Sequence, residues 1–126
     1  MADLFTDITT YLDASGLLDT TVSYDMYPDA PDYVVSLFEY GGSSPPQGVS
    51  GVSRSFQIVV RHKDAEQAYA KINEIYGFLA DAGSIVYLTS DRWVQLSLKQ
   101  PPFKIKVDDS ARIYYGFNLV LNTYHD

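Results

Sequence analysis

Few residues in this chain have the type and spacing that chemistry requires. There are two histidines, His62 and His125, and no cysteine. His62 ends a run of alternating apolar residues and reads as a strand-end histidine packed at the cap of the following helix. His125 is the penultimate residue, where chains fray. A zinc site needs three or four His, Cys or carboxylate ligands at a recognisable spacing, and no such spacing occurs. Asp108-Asp109 is an adjacent acidic pair, but a hard cation needs six or more oxygen ligands, so the pair reads as a solvated turn. The serines are densest in Gly41 to Ser53. The nearest approach to a nucleophile elbow there, Gly48-Val49-Ser50-Gly51, has the wrong spacing and no helix after it. The same stretch lacks the lysine and the helix of a phosphate-binding loop. Catalytic residues, metal ligands and cofactor-binding residues are therefore all expected to be absent.

The arginines offer a different kind of chemistry. Arg54, Arg61, Arg92 and Arg112 each fall at an expected strand end or turn. One reading is weakly paired surface charge. The other makes some of them partners for carboxylates on a neighbouring subunit, because Arg is enriched at interfaces. The chain has 16 acidic and 9 basic residues, a net charge of −7. That balance argues against gripping nucleic acid, which calls for a basic patch. It is compatible with letting DNA pass, since a negative lumen leaves phosphates mobile. Eleven tyrosines supply broad contact area with a polar tip, suited to sheets and to interfaces alike.

The elements that would position these residues follow from periodicity. The length of 126 residues suits one domain. Asp3 to Ala14 is expected to be a helix, capped by Asp3, with Leu4, Ile8, Tyr11 and Leu12 on one face and Gly16 as its stop. Thr20 to Tyr27 is β-rich, Pro28 to Asp32 a turn, and Tyr33 to Tyr40 a strand apolar on both faces, hence central or covered by another subunit. Gly41 to Ser53 has four Gly, two Pro, four Ser and no charge, so no secondary structure is expected there. It reads as a flexible loop that either is a plain hairpin tip or orders on assembly and lines a pore.

Arg54 to Gly83 carries the clearest signal. Phe56, Ile58, Val60 and His62 alternate with Ser55, Gln57, Val59 and Arg61. Asp64 then caps a helix, with Gln67 completing a variant capping box. Ala68, Tyr69, Ile72, Ile75, Tyr76 and Leu79 keep helical spacing. Gly77 costs roughly 1 kcal/mol there relative to Ala, which suggests close approach of the helix to the sheet. Ile85 to Thr89 and Trp93 to Leu98 are strands about a turn. Phe103 to Ser110 is a mixed loop with some β character, and Arg112 to Tyr124 is the longest strand. The expected fold is α+β: a mainly antiparallel twisted β-sheet with two helices packed on one face. No apolar run reaches the roughly 18 residues of a membrane span. The N-terminus lacks the basic start and apolar stretch of a signal peptide, so folding in the cytoplasm is expected.

The strand F-Q-I-V-V-R, its short capped link and the helix A-x-x-A-Y-x-K-I-x-E-I-Y-x-x-L resemble the tail-terminator proteins of long-tailed bacteriophages, a group that includes proteins labelled phage minor capsid proteins. The N-terminal helix with Gly-Leu-Leu after it, and Pro101-Pro102-Phe103 followed by Asp-Asp and the aromatic strand through Phe117-Asn118-Leu119, fit the same layout. The resemblance implies a non-enzymatic virion subunit that forms a homo-oligomeric, six-membered ring. The ring would cap the tail tube and meet the head connector, with DNA passing through its lumen without specific binding and no membrane involved. Its assembly would take place in the cytoplasm of the bacterial host. Candidate interface or lumen residues are Ser44, Gln47, Ser50, Ser53, Arg54, Gln57, Arg61 and Arg92. Two other readings stand beside it: another head–tail joining or head-completion protein, and a small-ligand-binding module that uses the sheet as a pocket wall.

Overall fold

The computed structural model describes residues 4–43, 52–90 and 92–123. In chain order the elements are α1 (Leu4–Ala14), β1 (Thr21–Tyr24), β2 (Val34–Ser43), β3 (Val52–His62), α2 (Ala65–Ala82), β4 (Ile85–Tyr87), β5 (Trp93–Leu98), β6 (Phe103–Val107) and β7 (Ile113–Thr123). The seven strands form one sheet in the order β1-β2-β3-β7-β5-β4, with β6 also paired to β7. All pairings are antiparallel except β1 with β2, which is parallel. The fold is the α+β arrangement expected from the sequence.

β7 is the hub. One side pairs with β3 along eleven residues, from Val52↔Thr123 to His62↔Ile113. The other side is shared: β5 takes residues 119–123 and β6 takes residues 113–116. The stretch Phe103–Val107, which the sequence presents as mixed loop, is therefore a strand. Its ladder breaks between Lys104 and Lys106.

Period-2 patterning sets the core face. Phe56, Ile58 and Val60 of β3, Phe117, Leu119 and Leu121 of β7, and Val94 and Leu96 of β5 point to one side, where both helices lie. α2 lays Ala68, Ile72, Ile75 and Leu79 onto them, all buried. Each of the larger three contributes about 1.5–3 kcal/mol by leaving water. α1 adds Leu4, Ile8 and Leu12, and its Phe5 ring meets Phe56 edge-on at 5.5 Å.

The cap of α2 departs from the expected capping box. Asp64 Oδ1 accepts the N–H groups of Glu66 (2.9 Å) and Gln67 (3.2 Å). The N–H of Asp64 itself donates to His62 Nδ1 at 2.9 Å, filling the place Gln67 would take in the box. Asp3, the expected cap of α1, lies outside the described residues. Gly77 does not mark close packing on the sheet, because a Cβ added there would meet no heavy atom within 4 Å. The close approach is at Gly116, where a Cβ would stand 2.9 Å from both Ile105 Cδ1 and the carbonyl of Ile58.

β2 and β3 extend further into the Gly/Ser/Pro stretch than expected. The ladder continues past a bulge to Gly42↔Arg54 and Ser43↔Ser53, so both ends of that stretch are strand. Residues 44–51 lie outside the described residues.

Candidate interaction surface

The helix-free face of the sheet has two halves with different fates. One half is covered by the chain that links β1 to β2. Because these strands are parallel, residues 25–33 must cross the sheet. Tyr27 packs edge-on against Phe38 and Tyr114, with centroids 4.8 and 4.9 Å apart. Two arginines hold the crossing in place. Arg61 donates from Nη2 to the carbonyl of Pro31 (2.7 Å) and from Nε to that of Asp32 (3.1 Å). Arg112 donates from Nη1 to the carbonyl of Asp29 at 2.7 Å. Val59 and Arg61 end up buried.

Arg112 is itself fixed by Asp108 through a 2.8 Å pair. Burial pushes the Asp108 carboxyl up. The Arg112 N–H, the Tyr114 hydroxyl, the Arg112 guanidinium and the Ser110 N–H outweigh that and hold it far below the usual carboxylate range. The adjacent acidic pair of the sequence is thus half structural: Asp108 organises the turn into β7.

The other half of this face is covered by no element among the described residues. Across β3, β7 and β5 the register runs Ser55↔Val120↔Ser97 and Ser53↔Asn122↔Gln95. Next to these rows Gln57 Nε2 donates to Asn118 Oδ1 at 3.1 Å. These side chains are half-buried, and none carries a charge. The face ends at edge strand β4, where Ile85 and Tyr87 are 51% and 63% exposed.

The structure sorts the residues singled out in the sequence. Ser53 and Gln57 lie on the uncovered polar face. Arg54 lies on the opposite face, half-exposed and paired with Glu39 at 2.7 Å. Arg61 is 1% exposed, so the expectation that it meets a neighbour or a lumen is corrected: its guanidinium is committed to two carbonyls inside the subunit. Arg92 is partly buried, its guanidinium lying 3.3 Å from the buried Asp7. Ser44, Gln47 and Ser50 lie outside the described residues. Three exposed lysines escaped the sequence reading. Lys99, Lys104 and Lys106 occupy a stretch, Trp93 to Val107, that contains no acidic residue, and that charge run was the available signal.

A cleft of about 220 Å³ opens between α2 and the end of β3, beside Asp19, Tyr33, His62, Lys71 and Glu74. Its polar groups are turned on one another. The Tyr33 hydroxyl donates to Asp19, and Lys71 reaches the Leu17 carbonyl at 3.1 Å and Glu74 at 2.8 Å. Hydrogen bonding from Tyr33, with help from Lys71, lowers Asp19, while burial and then Asp19 push the Tyr33 hydroxyl up. Nε2 of His62 has no paired acid or nucleophile in this network. Among the described residues no group of three His, Cys, Asp or Glu is placed to hold a metal ion. Also among the described residues, no helix is long and apolar enough to cross a membrane. What the geometry offers is surface: the uncharged polar rows, the exposed β4 edge and the three exposed lysines.

Three comparisons bear on it. The profile of a family described as "Bacteriophage tail terminator protein" matches residues 11–125. No curated protein sequence matches the chain. Among solved structures, a chain of the "Virion of native gene transfer agent (GTA) particle" superposes with a TM-score of 0.60 at 17% identity, covering 96% of this chain and 91% of that one. At that identity the likeness speaks to the fold.

Proposed function

The chain belongs to the bacteriophage tail terminator family, and from that membership we propose that its copies close into a six-membered ring that caps the tail tube and joins it to the head connector. As a member it is a structural component of a phage-like virion. The observation that carries the proposal is the extent of the family match, which runs through α2 and all seven strands. In this reading the protein sits at the head–tail interface and assembles in the host cytoplasm.

The surface supports this use. A ring needs heterologous contacts between two different patches of each subunit, and the open sheet offers free edges for them. The uncharged half of the helix-free face, with Ser53 and Gln57, lines the lumen or a subunit contact together with Ser44, Gln47 and Ser50 of the stretch between β2 and β3. DNA phosphates passing such a surface find no fixed cations to hold them. Arg54, half-exposed, presents its ion pair with Glu39 to a neighbour.

Incubating the purified protein with polymerised tail tubes and imaging the tube ends by negative-stain microscopy tests the proposal. Ring-shaped caps with six-fold symmetry at one end are expected. Bare ends at every protein concentration would overturn it.

A further inference from the structure

We infer that successive subunits join edge to edge, with the β6 edge of one copy against the β1 edge of the next. This inference rests on the ring proposed above and names the contact that would close it.

The topology puts these strands at opposite ends of one strip of sheet. Across the strip the register runs Thr21↔Val34↔Arg61↔Tyr114↔Lys106, from β1 through β2, β3 and β7 to β6. Among the described residues β1 pairs only with β2, and β6 only with β7. Each therefore presents a free edge of backbone donors and acceptors, which is a template for pairing with another chain.

The two edges are opposite in charge. From Asp19 to Met26 the chain holds two carboxylates and no cation; Lys71 of α2 stands 3.7 Å from Asp19, and Asp25 has no ion-pair partner among the described residues. From Lys99 to Val107 it holds three lysines and no carboxylate. Lys99 and Lys104 are exposed and take no ion-pair partner among the described residues. Lys106 Nζ stands 4.7 Å from the centroid of the Tyr114 ring. In a chain of net charge −7, this is the one strand edge among those described that is purely basic, and a second copy supplies the acidic edge that fits it.

Both edges also carry exposed apolar surface. Tyr24 and Met26 are 40% and 54% exposed beside β1, and Val107 is 49% exposed on β6. Two different patches on opposite edges make a head-to-tail contact, the kind that generates a ring. Lysines on an edge strand can also serve only to block such pairing, and the test separates the two roles.

The test uses two full-length variants. Lys99→Glu/Lys104→Glu/Lys106→Glu makes the β6 edge acidic, and Thr21→Lys/Asp25→Asn/Met26→Lys gives the β1 edge two cations against one carboxylate and makes it basic. Like charges face each other when either variant assembles alone. In an equal mixture, every contact of an alternating ring again pairs opposite charges. Circular dichroism and thermal unfolding establish that each variant is folded. The readout is the fraction of tail-tube ends capped, with sedimentation velocity of the same samples.

A loss of capping of about tenfold or more for each variant alone, with recovery in the mixture, is expected from such like-charge contacts. Capping by either variant at the wild-type level would overturn the inference and leave the ring proposal intact, as would a loss that mixing does not restore. If wild-type protein caps no tubes, the ring proposal fails instead. Sedimentation then decides the edge contact: larger species in the mixture alone support it, and their absence overturns it.

Discussion

Replacing Arg61 tests how the covered half of the helix-free face is held. The side chain is 1% exposed and donates two hydrogen bonds, to the carbonyls of Pro31 at 2.7 Å and Asp32 at 3.1 Å. Hydrogen bonds from a charged donor contribute about 1.5–3 kcal/mol each. The guanidinium also stands 5.9 Å from the centroid of the Tyr114 ring, and its buried stem adds packing. Pro31 and Asp32 are themselves exposed residues, so water recovers part of the loss. Arg61→Ala should therefore destabilise the protein by about 3–4 kcal/mol. Arg61→Met, which keeps the stem, should lose about 2 kcal/mol. Urea unfolding followed by the fluorescence of the single tryptophan, Trp93, gives these numbers. Hydrogen exchange should show faster amide exchange concentrated in residues 25–33. A loss below about 1 kcal/mol for Arg61→Ala, or exchange unchanged in that segment, would refute the clamp.

Other consequences follow from particular positions. Gly116→Ala drives a methyl group into the Ile58 carbonyl, which is backbone and cannot turn aside, so a loss of about 1–3 kcal/mol is expected by urea unfolding. Gly77→Ala places its methyl in open space within α2 and should gain about 0.5–1 kcal/mol from helix propensity, visible as a higher Tm. Asp19 and Asp108 are both held below the ordinary 3.8. Their contribution is therefore fully present above about pH 4 and lost as pH falls through their folded values. Urea midpoints measured down the acid limb should fall more gently for Asp108→Asn than for the wild type, and parallel curves would contradict this.

The sequence made legible what local periodicity encodes. Alternation from Phe56 to His62 and helical spacing from Ala68 to Leu79 each bury one face, so β3 and α2 and the core between them could be read directly. β6 was harder: Phe103, Ile105 and Val107 do alternate, but two prolines before them and two lysines among them read as loop. The parallel pairing of β1 with β2 is non-local and left no mark, so nothing showed that residues 25–33 would bury Arg61. Its partners lie 29 and 30 residues away, and a buried arginine has the same letter as an exposed one. Arg92 was opaque for the same reason, since Asp7 meets it from the far end of the chain. Of the candidate surface, Ser53 and Gln57 were accessible because strand parity alone puts them opposite the core.

Tube growth is the most direct measure of whether this protein terminates the tube. Tail-tube protein is polymerised with increasing amounts of this protein, and tube lengths are read by electron microscopy. Growth should stop at shorter lengths as the dose rises, with each arrested tube bearing one ring at the blocked end. Tubes that reach the same length at every dose, with no ring at either end, would contradict it.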